Sequence, residues 1–119
     1  MNAMVSSVAA AAGLQSWAQG HAPHVAAAVG LLVDHGVWLR RRDFREVCVE
    51  LAPDGECWID WPAAREALEA REFAASTTET AVLDLALALG ENRYRLSLMN
   101  LSESRAVVAA VARAAGVSR

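Results

Sequence analysis

At 119 residues the chain has room for one hydrophobic core and not two, so a single domain over residues 1–119 is expected. The hydrophobic share is 55% but heavy in Ala, which favours helix without filling volume, so Leu, Val and four Trp residues must supply the core. The net charge of −3 excludes a global positive field that would draw the chain to nucleic acid or anionic lipid, and any such binding must be local.

All of the basic residues are Arg and none is Lys, which with the Ala load suggests a GC-rich genome. At the start, Asn2-Ala3-Met4 reads as a cloning remnant ahead of a second possible start, and residues 1–3 are left out of the fold. Met4 to Gln19 is helix-permissive, with Val5, Val8, Leu14 and Trp17 scattered through it and Gly13 interrupting. The apolar run from Val8 to Leu14 has no basic residue before it and is too short to span a bilayer, so a cytoplasmic chain without a membrane partner is expected. Pro23 opens a second helix whose Val25, Val29, Leu32 and Val33 recur at helical spacing, and Gly36 stops it.

Asp43-Phe44-Arg45-Glu46 has the form of a capping box, with Asp43 accepting from the amide of residue 46. Phe44, Val47, Cys48 and Leu51 follow at i, i+3, i+4 and i+7, although Val47, Val49 and Leu51 also alternate as a strand would. The cap and Phe44 favour helix, ended by Pro53 and the Asp54-Gly55 turn. Glu56 to Ile59 reads as a short extended segment. Asp60 is then placed to cap a helix with Pro62 in its first turn. Ser76-Thr77-Thr78-Glu79 is a second capping box and opens the most apolar helix, running to Gly90 with Asp84 as its only charge after Glu79. Arg93 to Met99 fits either a strand pairing with the Trp58 segment or a loop with a short helical turn. Ser102 caps a last helix with Val107, Val108, Val111 and Ala115 on one face and Gly116 as its stop. The fold class is therefore mainly α, one domain of about five helices with a small extended element at residues 56–60.

Trp38-Leu39-Arg40-Arg41-x-Asp43-Phe44, Trp58-Ile59-Asp60-Trp61 and the Ala64-Arg65-x-x-Leu68 helix together resemble small uncharacterised proteins of actinobacterial genomes. The resemblance covers roughly residues 30 to 116. It implies a lineage and no activity.

Three local features bear on chemistry. Trp58 and Trp61 bracket Asp60, and apolar neighbours that raise a carboxyl pKa are how a general acid is made. A helix cap explains Asp60 better, because its place before Pro62 is what a cap requires and no second catalytic group is tied to it by spacing. Cys48 and Cys57 match no zinc or redox spacing and read as reduced, buried thiols; Cys57 with His21, His24 or His35 is a chance pairing in a chain of this size. His21-x-x-His24 lacks further ligands, and His35 suits the end of a helix dipole, so neither metal nor cofactor is expected.

Arg40, Arg41, Arg42 and Arg45 form the one local basic cluster and invite a reading in which phosphates lie along the Arg row. Glu46, Glu50 and the acidic total oppose it, and no set of Asn, Gln or Lys is aimed at base edges. No phosphate loop, G-x-S-x-G or H-E-x-x-H occurs, so enzyme is the least supported class. The expectation is a non-enzymatic interaction module that self-associates through Ala-rich N-terminal helices carrying more apolar surface than a small core covers. The candidate binding residues are Arg40, Arg41, Arg42, Arg45, Trp58, Asp60 and Trp61. A nucleic-acid-binding regulator is the alternative.

Overall fold

The computed structural model of the chain describes residues 6–117, so the reading of Asn2-Ala3-Met4 lies outside the described residues. The polypeptide is mainly α-helical, with seven α-helices among the described residues where the sequence suggests about five: α1 (Ser7–Gln19), α2 (Pro23–His35), α3 (Val37–Arg40), α4 (Arg42–Cys48), α5 (Trp61–Glu69), α6 (Thr77–Gly90) and α7 (Leu101–Ala115). Between α4 and α5 lies an antiparallel hairpin of β1 (Val49–Leu51) and β2 (Cys57–Ile59), with Val49 opposite Ile59 and Leu51 opposite Cys57.

Local chemistry accounts for most boundaries. Pro23 occupies the first turn of α2, and Gly36 ends it in the left-handed region at φ +80°. The Asp60 side chain accepts from the Ala63 amide at 3.0 Å and caps α5, with Pro62 in the first turn. Ser76 and Glu79 form the full reciprocal box at the start of α6. The two readings of residues 44–51 each hold for part of the segment. The chain is helical through Cys48, burying Phe44 and Cys48, and extended from Val49, so Val47 and Leu51 are exposed rather than members of one buried stripe.

Two local expectations are corrected, and one open alternative is decided in favour of a loop with a short helical turn. Asp43 does not cap α4: Arg41 holds the cap position, and the Asp43 carboxylate accepts instead from the Arg41 guanidinium and from the neighbouring Phe44 amide. The last helix is capped two residues earlier than Ser102, by Asn100, which completes its box with Glu103. Residues 93–99 form no strand; Leu96–Leu98 is a single 3-10 turn entered through Arg95 in the left-handed region.

The core is built around the α2–α6 pair, with α1 laid across α2 and β2. Leu14, Leu32, Leu83 and Leu87 interlock there with Trp38 and Phe44, all fully buried. Trp38, Phe44 and Phe73 cluster with ring centroids 5.5–5.9 Å apart, Trp38 and Phe73 edge to face and the other two pairs tilted, and the Trp38 indole N–H donates to the Glu79 carbonyl at 2.9 Å. Gly13 lets α1 approach β2 closely, since a Cβ there would sit 2.7 Å from Cys57 Sγ. Cys48 ends α4 and Cys57 opens β2 opposite Leu51, and both are free, buried thiols.

α7 stands apart from this body. None of its residues is buried, and among the described residues it forms no substantial packing interface with any other element.

Candidate functional site

The Arg cluster is contiguous in sequence but divided in space. Arg41 is a strut: its guanidinium makes a bidentate contact with Asp43 at 3.0 and 2.7 Å, donates to the Ala74 carbonyl at 2.7 Å and stacks 4.9 Å from the Trp38 ring centroid. That pairing holds the Asp43 carboxyl below its ordinary range, chiefly through the hydrogen bonds from Arg41. Arg45 donates from Nη1 to the Leu39 carbonyl at 2.7 Å, and its Nε is buried without a partner among the described residues. Arg42 reaches Glu46 across one turn at 3.3 Å on an exposed face, and Arg40 is exposed beside Gly36. Only Arg40 and Arg42 keep their charges toward solvent.

The two tryptophans also separate. Trp58 alternates outward from the buried Cys57 and Ile59 and lies on the open face of the hairpin opposite Glu50. Trp61 packs against Trp17, with ring centroids 6.3 Å apart, and over Gly90, where a Cβ would lie 2.5 Å from the indole. Asp60 between them spends one carboxylate oxygen on the Ala63 amide.

The remaining polar candidates are held by backbone groups or by burial. Nδ1 of His21 lies 2.8 Å from the Trp17 carbonyl and that of His24 lies 3.1 Å from the Leu89 carbonyl, so both nitrogens donate. His35 ends α2 as expected, with Nδ1 buried and without a partner among the described residues. Burial pushes the Cys48 thiol up to about 12 and raises that of Cys57 as well, which leaves neither as a thiolate nucleophile at neutral pH. Among the described residues, no three His, Cys, Asp or Glu side chains are grouped to hold a metal ion.

Two features lie outside the candidate residues that the sequence singles out. Arg65 on α5 bridges Asp84 at 2.6 Å and Glu91 at 3.1 Å, tying α5 to both ends of the second half of α6; its partners lie 19 and 26 residues away, beyond any local spacing rule. A shallow cavity of about 570 Å³ opens beside it, between Arg65, Arg71, Phe73, Thr77 and Asp84. The Arg65 charge is already met by Asp84 and Glu91, which leaves the exposed Arg71 as the one lining cation without an ion pair among the described residues.

The second feature is the surface of α7. Leu101, Val108 and Val111 are 66%, 67% and 58% exposed, and Leu98 just before the helix is 76% exposed. Leu96, Ser104, Val107, Val111, Ala115 and Val117 line one groove of about 420 Å³ along this helix. The expected apolar excess of the N-terminal helix is largely absorbed: Ala10, Leu14 and Ala18 of α1 face the core, leaving Val8 and small Ala side chains outside. No helix among the described residues is long and apolar enough to cross a membrane.

No protein-family model, curated protein or solved structure matches this chain. The functional reading rests on its own geometry.

Proposed function

We propose that the chain is a non-enzymatic, self-associating protein–protein interaction module of the cytoplasm, and that its contact surface is α7. The observation that carries the reading is a fifteen-residue helix with three valines, a leucine and no buried residue. An amphipathic helix gains its stability from packing its apolar face, and an exposed face of this kind on an ordered element marks an interaction site. Arg41, Arg45, Asp60 and the two thiols are engaged or buried in the fold, which counts against a catalytic use for any of them. Two reduced, buried cysteines suit a reducing compartment.

The nucleic-acid alternative loses support because two of its four Arg residues are occupied within the fold. Light scattering on the full chain across micromolar concentrations tests the reading: an average mass of a dimer or more is expected, and a monomer at every concentration refutes it.

A further inference from the structure

Leu101, Ser104, Val108, Val111 and Ala115 follow one another at intervals of three, four, three and four residues, the a/d spacing of a two-helix seam. Val108 and Val111 at its centre are more than half exposed. The charges of α7 stand off this line: Glu103 and Arg113 point away from the seam, and Arg105 flanks it as the one charged residue beside a row of Ala and Val. A second copy of this surface meets no like-charge penalty, and β-branched residues with small neighbours let two backbones approach closely.

The seam has two unlike ends. Leu96, which belongs to the turn leading out of the body, lines the same groove as Ser104, while Val117 lines it beyond the other end of the helix. A parallel partner would bring its own body to the end that Leu96 already occupies, with helix axes only about 8–10 Å apart. An antiparallel partner brings its C-terminal turn there instead.

Area points the same way. Half of a cylinder about 22 Å long and about 11 Å across is roughly 380 Å² per copy. That falls short of the roughly 600 Å² per partner at the lower limit of specific interfaces. Antiparallel pairing adds to the helix face two further contacts, each between the Val117 end of one copy and the exposed Leu96–Leu98 turn of the other. Parallel pairing adds neither.

We infer that the occupant of the α7 groove is the α7 of a second copy, running antiparallel, with Val108 of each chain layered against Val111 of its partner and Ser104 against Ala115. The inference rests on the self-association reading and specifies its geometry. With Val108 facing Val111, the a/d repeat places Ser104 and Ala115 in the adjoining layers on either side. The dipoles of the two helices are then opposed, a smaller term of the same sign.

Cysteine crosslinking in the full chain tests the arrangement, since Cys48 and Cys57 are buried and the unaltered chain serves as the control. Ser104→Cys and Ala115→Cys are prepared separately, checked for native circular dichroism, then oxidised alone and as a mixture, with sedimentation run in parallel. The expected result is a crosslinked dimer from the mixture, at least tenfold more abundant than from either variant alone. Strong crosslinking of each variant with itself overturns the antiparallel arrangement and leaves self-association standing. A dimer in sedimentation with no crosslink in any tube overturns α7 as the contact. A monomer throughout overturns both the arrangement and the reading it rests on, and is also the result if the groove instead takes an unrelated protein.

Discussion

Replacing Gly13 with Ala inverts the usual consequence of removing a glycine from a helix. In an open helix interior the change stabilises by about 1 kcal/mol, through backbone entropy and helix propensity. At Gly13 the new methyl group would stand 2.7 Å from Cys57 Sγ and 3.1 Å from Cys57 Cβ. Cys57 is 1% exposed and fixed by pairing with Leu51, so it has no open space into which to retreat. Overpacking of this kind costs about 1–3 kcal/mol, and the balance against the propensity gain is a net destabilisation of up to about 2 kcal/mol. Urea unfolding followed by tryptophan fluorescence reads this as a lower midpoint at an unchanged slope. Trimming the opposing thiol in Cys57→Ala relieves the closest approach, so the pair of substitutions is predicted to couple favourably by about 1 kcal/mol in a double-mutant cycle. A Gly13→Ala variant that gains about 1 kcal/mol in both backgrounds would refute the close approach of α1 to β2.

Further outcomes follow from the caps and charges. Asp60→Asn is expected to be nearly neutral in thermal unfolding and Asp60→Ala to cost about 1 kcal/mol, because Asn caps as well as Asp; an equal loss in both would mean that charge rather than capping holds the site. The Asp43 carboxyl titrates below its unfolded value of about 3.9, so its contribution is complete above that pH and is lost as pH falls through the folded pKa. Acid titration of stability is therefore predicted to fall less steeply below about pH 4 in Asp43→Asn than in the unaltered chain, and identical curves would show that the Arg41 pairing contributes nothing. Duplex DNA is expected to bind more weakly than about 10 μM at physiological salt, with a log–log salt slope no steeper than about −1.8 for the two solvent-facing cations Arg40 and Arg42, the second of them paired with Glu46; submicromolar anisotropy titrations lost in Arg40→Ala/Arg42→Ala would revive the nucleic-acid reading.

What could be read from the sequence was what local chemistry decides. Pro23 and Gly36 delimit α2, Asp60 with Pro62 opens α5, and Ser76 with Glu79 opens α6, each within a span of one turn or one helix. Asp43 misled because its capping signature competes with a guanidinium two residues away that is itself pinned on Trp38, a partnership set by tertiary packing. Asn100 lay just upstream of an equally plausible Ser102, and the two boxes differ only in whether Glu103 falls three residues on. The candidate site was less legible. Four neighbouring Arg residues suggest one patch, yet neighbours in a helix and its entry turn point in different directions, and Arg41 and Arg45 turn back onto the body. The apolar face of the last helix was visible as periodicity. Periodicity does not say what covers a face, so the surplus surface was assigned to the N-terminal helices when the fold leaves it on α7.

Sedimentation equilibrium on two matched variants tests that assignment most directly. Val108→Asp places a carboxylate at the centre of the α7 seam, while Val8→Asp places one on α1 at a valine 80% exposed, so neither disturbs the core. The chain with Val8→Asp is expected to keep the mass of the unaltered dimer and the chain with Val108→Asp to sediment as a monomer. Loss of the dimer with Val8→Asp and its retention with Val108→Asp would contradict that assignment and return the contact to the N-terminal helix.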